Sequence, residues 1–285
     1  MQLNQLKMEF INALQKTYPS TEIESFFYLL SEAYLKMNRL EVALNPNEKI
    51  TKKNKELFFE AIERLKNHEP IQYIIGNTEF YGLPFKVNRN VLIPRPETEE
   101  LIEWIIQDVK KITKKNSTFK ILDIGTGSGC IPISLAKELP KTKVSSIDIS
   151  AKAIETAKLN AKINKVSVVF FQQDILATEK LAEKYEVIVS NPPYVRNLEK
   201  EQMQKNVLDY EPEIALYVDN EDPLLFYRKI AQLTKKSLTK NGTLYFEINQ
   251  YLAEELKELL QKEGFQQIEL KKDIYKNYRM CKASL

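Results

Sequence analysis

Two short segments of this sequence carry residue types whose spacing can do chemistry. The first is Asn191-Pro192-Pro193-Tyr194, directly after the apolar run Val187-Ile188-Val189-Ser190. Successive prolines fix the backbone and leave carbonyls without competing N–H donors. The Asn191 side-chain oxygen and the Pro192 carbonyl can each accept one hydrogen from a planar NH2 group, and Tyr194 can stack on its flat face. An amide or aniline-like nitrogen is a poor nucleophile because its lone pair is delocalised. Holding both hydrogens orients it and favours lone-pair localisation as a bond to an electrophilic carbon forms. Alignment then supplies most of the catalysis, and no metal or tuned general base is called for.

The second segment is Asp123-Ile124-Gly125-Thr126-Gly127-Ser128-Gly129, a glycine turn between a strand and a helix. Glycines let a ligand approach the backbone where side chains would block it. The dinucleotide fingerprint is excluded, because a third glycine would be needed where Cys130 stands. Asp148 ends the next strand, where a carboxylate can accept from both hydroxyls of a ribose. An acid, spaced glycines and a second acid form a pattern associated with S-adenosylmethionine, whose sulfonium methyl is a strong electrophile. Asp174, after the third strand, can accept from an adenine amino group while Ile175 packs on the base.

Composition removes other chemistries. The chain has 285 residues, with 42 Lys and Arg against 39 Asp and Glu, for a formal charge of +3. No stretch approaches the ~18 consecutive apolar residues of a membrane span, and the first residues lack the apolar core of a signal peptide. A cytoplasmic protein is expected. The two cysteines, Cys130 and Cys281, build no disulfide framework or zinc site. A catalytic triad or multi-histidine centre would rest on the single histidine, His68. It lies at a polar helix end before Pro70 and is expected to be exposed. Residues 1–90 hold 12 basic and 11 acidic side chains, and residues 91–285 hold 30 and 28. Neither part has the excess of a protein that grips nucleic acid through phosphates.

The elements that position these segments can be read from periodicity. Leu3, Leu6, Phe10 and Leu14 recur at helical spacing. Thr21 and Glu24 read as a capping box in front of the stripe Ile23, Phe26, Phe27, Leu30, Ala33, Tyr34 and Met37. Leu57, Phe58, Ile62 and Leu65 predict another helix. Residues 1–70 thus read as a small helical bundle, and aromatic and β-branched runs in 71–95 read as a hairpin linker. From 96 to 285 strands alternate with helices, with strands near 120–124, 143–149, 166–171, 186–190 and 243–248. This is the pattern of a mostly parallel sheet covered on both faces. Two late strands, 266–270 and 278–282, are expected as antiparallel neighbours at its edge.

Over nearly its whole length the sequence resembles the release factor glutamine methyltransferases, the HemK-type enzymes. The resemblance is carried by Glu69-Pro70-Ile71-Gln72-Tyr73-Ile74-Ile75-Gly76, Phe80-Tyr81-Gly82, Leu92-Ile93-Pro94-Arg95-Pro96-Glu97-Thr98-Glu99, Tyr210-Glu211-Pro212 and the tetrad. It implies an α/β fold, a seven-stranded Rossmann-like methyltransferase sheet behind a helical substrate-recognition domain. It implies that Gly125, Thr126, Gly127, Ser128, Gly129, Asp148, Ile175 and Asn191 contact S-adenosylmethionine, beside the Asp174 read above from its place after the third strand. Asn191, Pro192, Pro193 and Tyr194 would hold the glutamine of a Gly-Gly-Gln segment in peptide-chain release factors, with Asn191, Pro192 and Tyr194 catalytic. Arg95 and Glu97 would close the cleft between domains, or else form a salt bridge at a helix start. A monomer without metal, membrane or sequence-specific nucleic-acid partner is expected. The alternatives are methylation of a glutamine in a ribosomal protein or of an adenine amine in DNA or RNA. The family often has Glu-x-Gly where this chain has Glu247-Ile248-Asn249, and a glycine where Lys276 stands. Both departures are expected at the far end of the sheet, away from the tetrad.

Overall fold

A computed structural model of the chain describes residues 1–112 and 119–285. They form two compact units, one of Met1–Gly76 with Gln204–Tyr210 and one of Asn77–Met203 with Glu211–Leu285.

The first unit is helical, with α1 Leu3–Leu14, α2 Ser20–Leu30, α3 Arg39–Leu44, α4 Lys52–Lys66 and α5 Ile71–Ile75. Leu3, Leu6, Phe10 and Leu14 are all buried on one face of α1, against Ile23, Phe27 and Leu30 of α2 and Phe58, Ile62 and Leu65 of α4. Three local readings change. Thr21 caps nothing, because the chain turns helical one residue earlier and Pro19 occupies the extended cap position. A capping box does form farther along, between Asn38 and Glu41, each side chain bonded to the other's backbone N–H. Beyond α2, Ser31–Leu35 widens into a π turn, so the stripe from Ile23 to Met37 is not one regular helix.

Residues 71–75 are a helix rather than the start of a hairpin. Pro70 stands before its first residue and Gly76 closes it in the left-handed region, while Ile71 and Ile74 share a buried face. His68 is half-buried rather than exposed. It takes the left-handed position after α4 at φ 62° and sets its ring edge-on to Tyr18, 5.7 Å away.

The second unit opens with the hairpin of β1 Asn77–Phe80 and β2 Leu83–Lys86, followed by α6 Pro96–Ile112. Strands and helices then alternate as β3 Phe119–Ile124, α7 Cys130–Glu138, β4 Thr142–Asp148, α8 Ala151–Asn164, β5 Val168–Gln172 and β6 Tyr185–Ser190. The short parallel pair β7 Val195–Arg196 and β8 Tyr217–Val218 brackets α9 Lys205–Tyr210, which belongs to the first unit, and α10 Glu213–Leu216. The chain ends with α11 Leu225–Ser237, β9 Leu238–Glu247, α12 Ala253–Lys262, β10 Gln267–Lys272 and β11 Tyr278–Ser284.

Among the described residues the main sheet has seven strands in the order β10-β11-β9-β6-β3-β4-β5. Strands β3, β4, β5, β6 and β9 run parallel, whereas β11 is antiparallel to both neighbours. Each face has its own apolar layer, one built with α11 and α12 and the other with α6, α7 and the hairpin. The order reverses between β3 and β6, and their carboxyl ends form the switch point where such sheets bind ligands. The glycine turn follows β3 and the tetrad follows β6.

Candidate active site

Parallel pairing of β3 with β6 sets Ile124 opposite Ser190, so Gly125 and Asn191 leave the sheet side by side. A Cβ on Gly125 would lie 3.6 Å from the Asn191 carbonyl oxygen. A cavity of about 330 Å³ opens above this pair. Gly125, Thr126, Gly127, Ser128, Asp148, Asp174, Ile175, Asn191, Pro192 and Pro193 line it, whereas Gly129 and Tyr194 do not.

In the glycine turn Gly125 and Gly127 have φ of 90° and 53°, in the region that side chains disfavour. The Gly127 N–H donates to Asp148 Oδ2 and the Ser150 N–H to Oδ1, each at 2.8 Å. These bonds fix the carboxyl at the cavity wall and oppose the burial that raises its pKa. Below the turn, the Ser146 hydroxyl donates to Asp123 Oδ2 at 2.5 Å and pairs with the Thr126 hydroxyl. Asp123 is fully buried, and burial pushes its carboxyl up to about 7. Gly129 has a different task from the one expected. A Cβ there would sit 2.8 Å from Ile133 Cδ1 and 3.0 Å from Ala157 Cβ, so this glycine lets the turn pack against α8.

These residues fit S-adenosylmethionine. A fixed carboxylate ends β4 with acceptor capacity for ribose hydroxyls, and two glycines clear the backbone. Ile149, Ile175 and Leu176 give an apolar wall for a base, and Asp174 stands beside them. Asp174 spends Oδ1 on the Leu176 N–H at 2.8 Å, which leaves Oδ2 for an amino group. The Cys130 thiol also lines the cavity, but burial pushes it up to about 12 and keeps it protonated.

On the opposite side, Asn191 Oδ1 and the Pro192 carbonyl accept no hydrogen bond from any described residue. Asn191 Nδ2 points toward Thr98 Oγ1, 3.5 Å away. Tyr194 does not present its ring to the cavity. Its hydroxyl donates to Glu247 Oε1 at 3.0 Å, and its ring packs on the core under α11. Burial and the Glu247 charge raise its pKa. Asn249 proves to be in contact with the tetrad rather than remote from it. Its Nδ2 donates to the Tyr194 carbonyl at 3.0 Å, and its Oδ1 accepts from the Tyr251 N–H. Lys276 adopts φ 68°, the conformation that a glycine takes without strain.

Arg95 lines the cavity and donates to Glu211 Oε1 at 2.5 Å, while Glu211 Oε2 accepts from the Ile93 N–H. Glu97 stands in the first turn of α6, where an acid suits the helix dipole. The sequence reading missed Thr98 and Glu247 as site residues. Both are buried, and their hydrogen bond joins positions 149 residues apart. No local periodicity signals such a pair.

Residues 5–76 match the PrmC N-terminal domain family, and residues 106–210 match the Methyltransferase small domain family. A release factor glutamine methyltransferase from Flavobacterium psychrophilum is 52% identical over 284 residues, covering 100% of this chain and 99% of its own. One from Bacteroides thetaiotaomicron is 38% identical over 283 residues, covering 99% of this chain and 100% of its own. The chain belongs to the release factor glutamine methyltransferase family. It is therefore a methyltransferase, with S-adenosylmethionine as the methyl donor. A solved structure of the hMettl16 catalytic domain in complex with the MAT2A 3′UTR hairpin 1 has a TM-score of 0.56 at 17% identity, covering 90% of each chain. At that identity the likeness concerns the fold alone.

Proposed function

We propose that this chain methylates the side-chain amide nitrogen of the glutamine in the Gly-Gly-Gln segment of peptide-chain release factors. The observation that carries this reading is that Asn191 and Pro192, whose side-chain and backbone carbonyl oxygens accept no hydrogen bond from any described residue, line the same cavity as Asp148 and the glycine turn. Family membership supports the substrate class. When bound, S-adenosylmethionine supplies an electrophilic methyl group on a sulfonium. Asp148 would accept from its ribose, Gly125 and Gly127 would leave the backbone clear beside it, and Asp174 with Ile175 would meet its base. Asn191 Oδ1 and the Pro192 carbonyl would each accept a hydrogen bond from the glutamine NH2 and so orient its lone pair for the methyl group. Transfer of that methyl to the nitrogen would leave a neutral thioether, and the nitrogen would release one proton to water. Pro193 keeps the two acceptors rigid, and Tyr194, tied to Glu247, anchors the end of the tetrad. Residues 1–76 supply a surface for recognising the protein substrate.

The test is mass spectrometry of release factor incubated with the enzyme and S-adenosylmethionine, with a ribosomal protein and DNA offered in parallel. The expected result is the mass of one methylene added to the glutamine of the Gly-Gly-Gln segment. Labelling of DNA or of the ribosomal protein, with release factor unchanged, would overturn the assignment.

A further inference from the structure

A primary amide has nearly the same shape in either of its two orientations, but opposite chemistry. Asn191 can grip an NH2 group only if its oxygen faces the cavity; rotated by half a turn it would offer hydrogens to hydrogens. Nothing inside the tetrad sets this choice: neither Pro192 nor Pro193 has an N–H to hold Oδ1 or a side-chain acceptor to hold Nδ2, and the Tyr194 hydroxyl is turned to Glu247.

The setting comes from two residues outside it. Thr98, in the first turn of α6, is 2% exposed and donates its hydroxyl proton to Glu247 Oε2 at 2.5 Å. Glu247 is the last residue of β9, and the pairing of Ser190 with Phe246 brings it level with Asn191. Its other oxygen, Oε1, accepts from the Tyr194 hydroxyl at 3.0 Å. Burial raises the Glu247 pKa, while the bonds from Thr98 and Tyr194 and the Arg279 charge oppose that rise; both of its oxygens accept here, and a threonine hydroxyl has a single proton to give. With that proton committed to Glu247, Thr98 Oγ1 can only accept on its remaining side. The group facing it is Asn191 Nδ2, at 3.5 Å. Catalytic contacts are often long before substrate binds and tighten afterwards.

We propose that Thr98 and Glu247 are positioning residues which fix the orientation of the Asn191 amide, so that Oδ1 faces the substrate. The proposal rests on the reading of Asn191 as the grip on the reacting amide. Glu247 acts through Thr98, and its bond to Tyr194 ties both ends of the tetrad to one carboxylate.

The test measures single-turnover methylation of release factor at saturating S-adenosylmethionine, with calorimetry of cofactor binding and a thermal melt for each variant. Thr98→Val keeps the shape and removes the hydroxyl, and it should slow transfer by about tenfold or more, as expected for a misdirected hydrogen bond. Cofactor affinity should stay within about threefold of wild type, and Thr98→Ser should restore the rate to within about threefold. In an Asn191→Ala background, Thr98→Val should add less than about threefold, because no amide remains to orient. Should Thr98→Val fail to fold, Thr98→Ala against Thr98→Ser carries the same contrast. A slow Asn191→Ala enzyme beside a Thr98→Val enzyme at the wild-type rate would overturn the positioning role alone. So would a full Thr98→Val loss that persists without Asn191. A fast Asn191→Ala enzyme would remove the grip itself, and this proposal with it.

Discussion

The turns after β3 and after β6 occupy equivalent places on neighbouring strands, yet their backbones are built in opposite ways. The turn from Gly125 to Gly129 uses left-handed φ values to clear space, and its Gly127 N–H is tied to Asp148 from the next strand. The tetrad from Asn191 to Tyr194 uses prolines to remove freedom, and its groups are held by Thr98, Glu247 and Asn249 from other elements. A site that must admit a ligand needs an open backbone. A site that must align one atom needs a stiff one. The two turns should therefore fail differently: changes to the first should alter cofactor affinity, and changes to the second should alter the rate of transfer.

The largest expected effect lies in the tetrad. Removing a hydrogen-bond acceptor that acts mainly in the transition state costs about 2.7–4 kcal/mol, or about two to three decades in rate. Single-turnover kinetics of Asn191→Ala should show that loss, with a melting temperature close to wild type. Equal losses in rate and in cofactor affinity would break the contrast.

Within the glycine turn, the third glycine should differ from the second. Gly129→Ala combines left-handed strain of about 1–2 kcal/mol with overpacking of about 1–3 kcal/mol against Ile133 and Ala157. Denaturant melts should show that destabilisation. At Gly127 a Cβ would meet nothing within 4 Å, so Gly127→Ala should cost only the strain and act mainly on cofactor binding. Equal stability of the two variants would return Gly129 to the ligand site.

Asp123 gives the glycine turn a pH dependence. Its carboxyl is pushed up to about 7 by burial, against an ordinary value of 3.8. Between those values the folded protein holds a proton that the unfolded chain has released. Its contribution to stability is therefore fully present below the lower value and lost as pH rises through the upper one. The slope is at most about 1.4 kcal/mol per pH unit. Cofactor-free melts of wild type should lose more stability from about pH 5 to about pH 8 than melts of Asp123→Asn, by up to about 3 kcal/mol. Parallel curves would show that Asp123 is already charged in the folded state.

The smallest effect is expected at Pro193. Pro193→Ala keeps Asn191 and the Pro192 carbonyl and releases only chain stiffness, worth about 0.4–1 kcal/mol. Thermal melts should show that decrease, and transfer should remain within about tenfold of wild type. A loss as deep as that of Asn191→Ala would mean that rigidity outweighs the acceptors.

The sequence makes local features legible. Alternation of strands and helices, and the glycine and proline turns that end β3 and β6, can be read from neighbouring residues. What it hides is long-range or shape-dependent. Gly125, Gly127 and Gly129 stand at equal spacing, and the nearness of Ile133 on α7 and Ala157 on α8 gives Gly129 a packing role. The run Tyr73-Ile74-Ile75 has strand-like residues, but Pro70 and Gly76 bound a helical turn that buries Ile71 with Ile74. Tyr194 is turned from the cavity by Glu247, 53 residues away. Thr98 within a family segment and Asn249 as a departure from the family pattern give no sign of their partners, and they acquire roles only where α6 and the end of β9 meet the tetrad.

The division of labour between the two turns is tested most directly by single-turnover transfer to release factor across a range of S-adenosylmethionine concentrations. The comparison uses wild type, Asp148→Ala and Asn191→Ala. Loss of a charge-assisted hydrogen bond costs about 1.5–3 kcal/mol, so Asp148→Ala should need about 10–100-fold more cofactor and then approach the wild-type rate. Asn191→Ala should remain slow at every concentration. An Asn191→Ala enzyme that regains the wild-type rate at high cofactor, or an Asp148→Ala enzyme that stays slow at saturation, would contradict it.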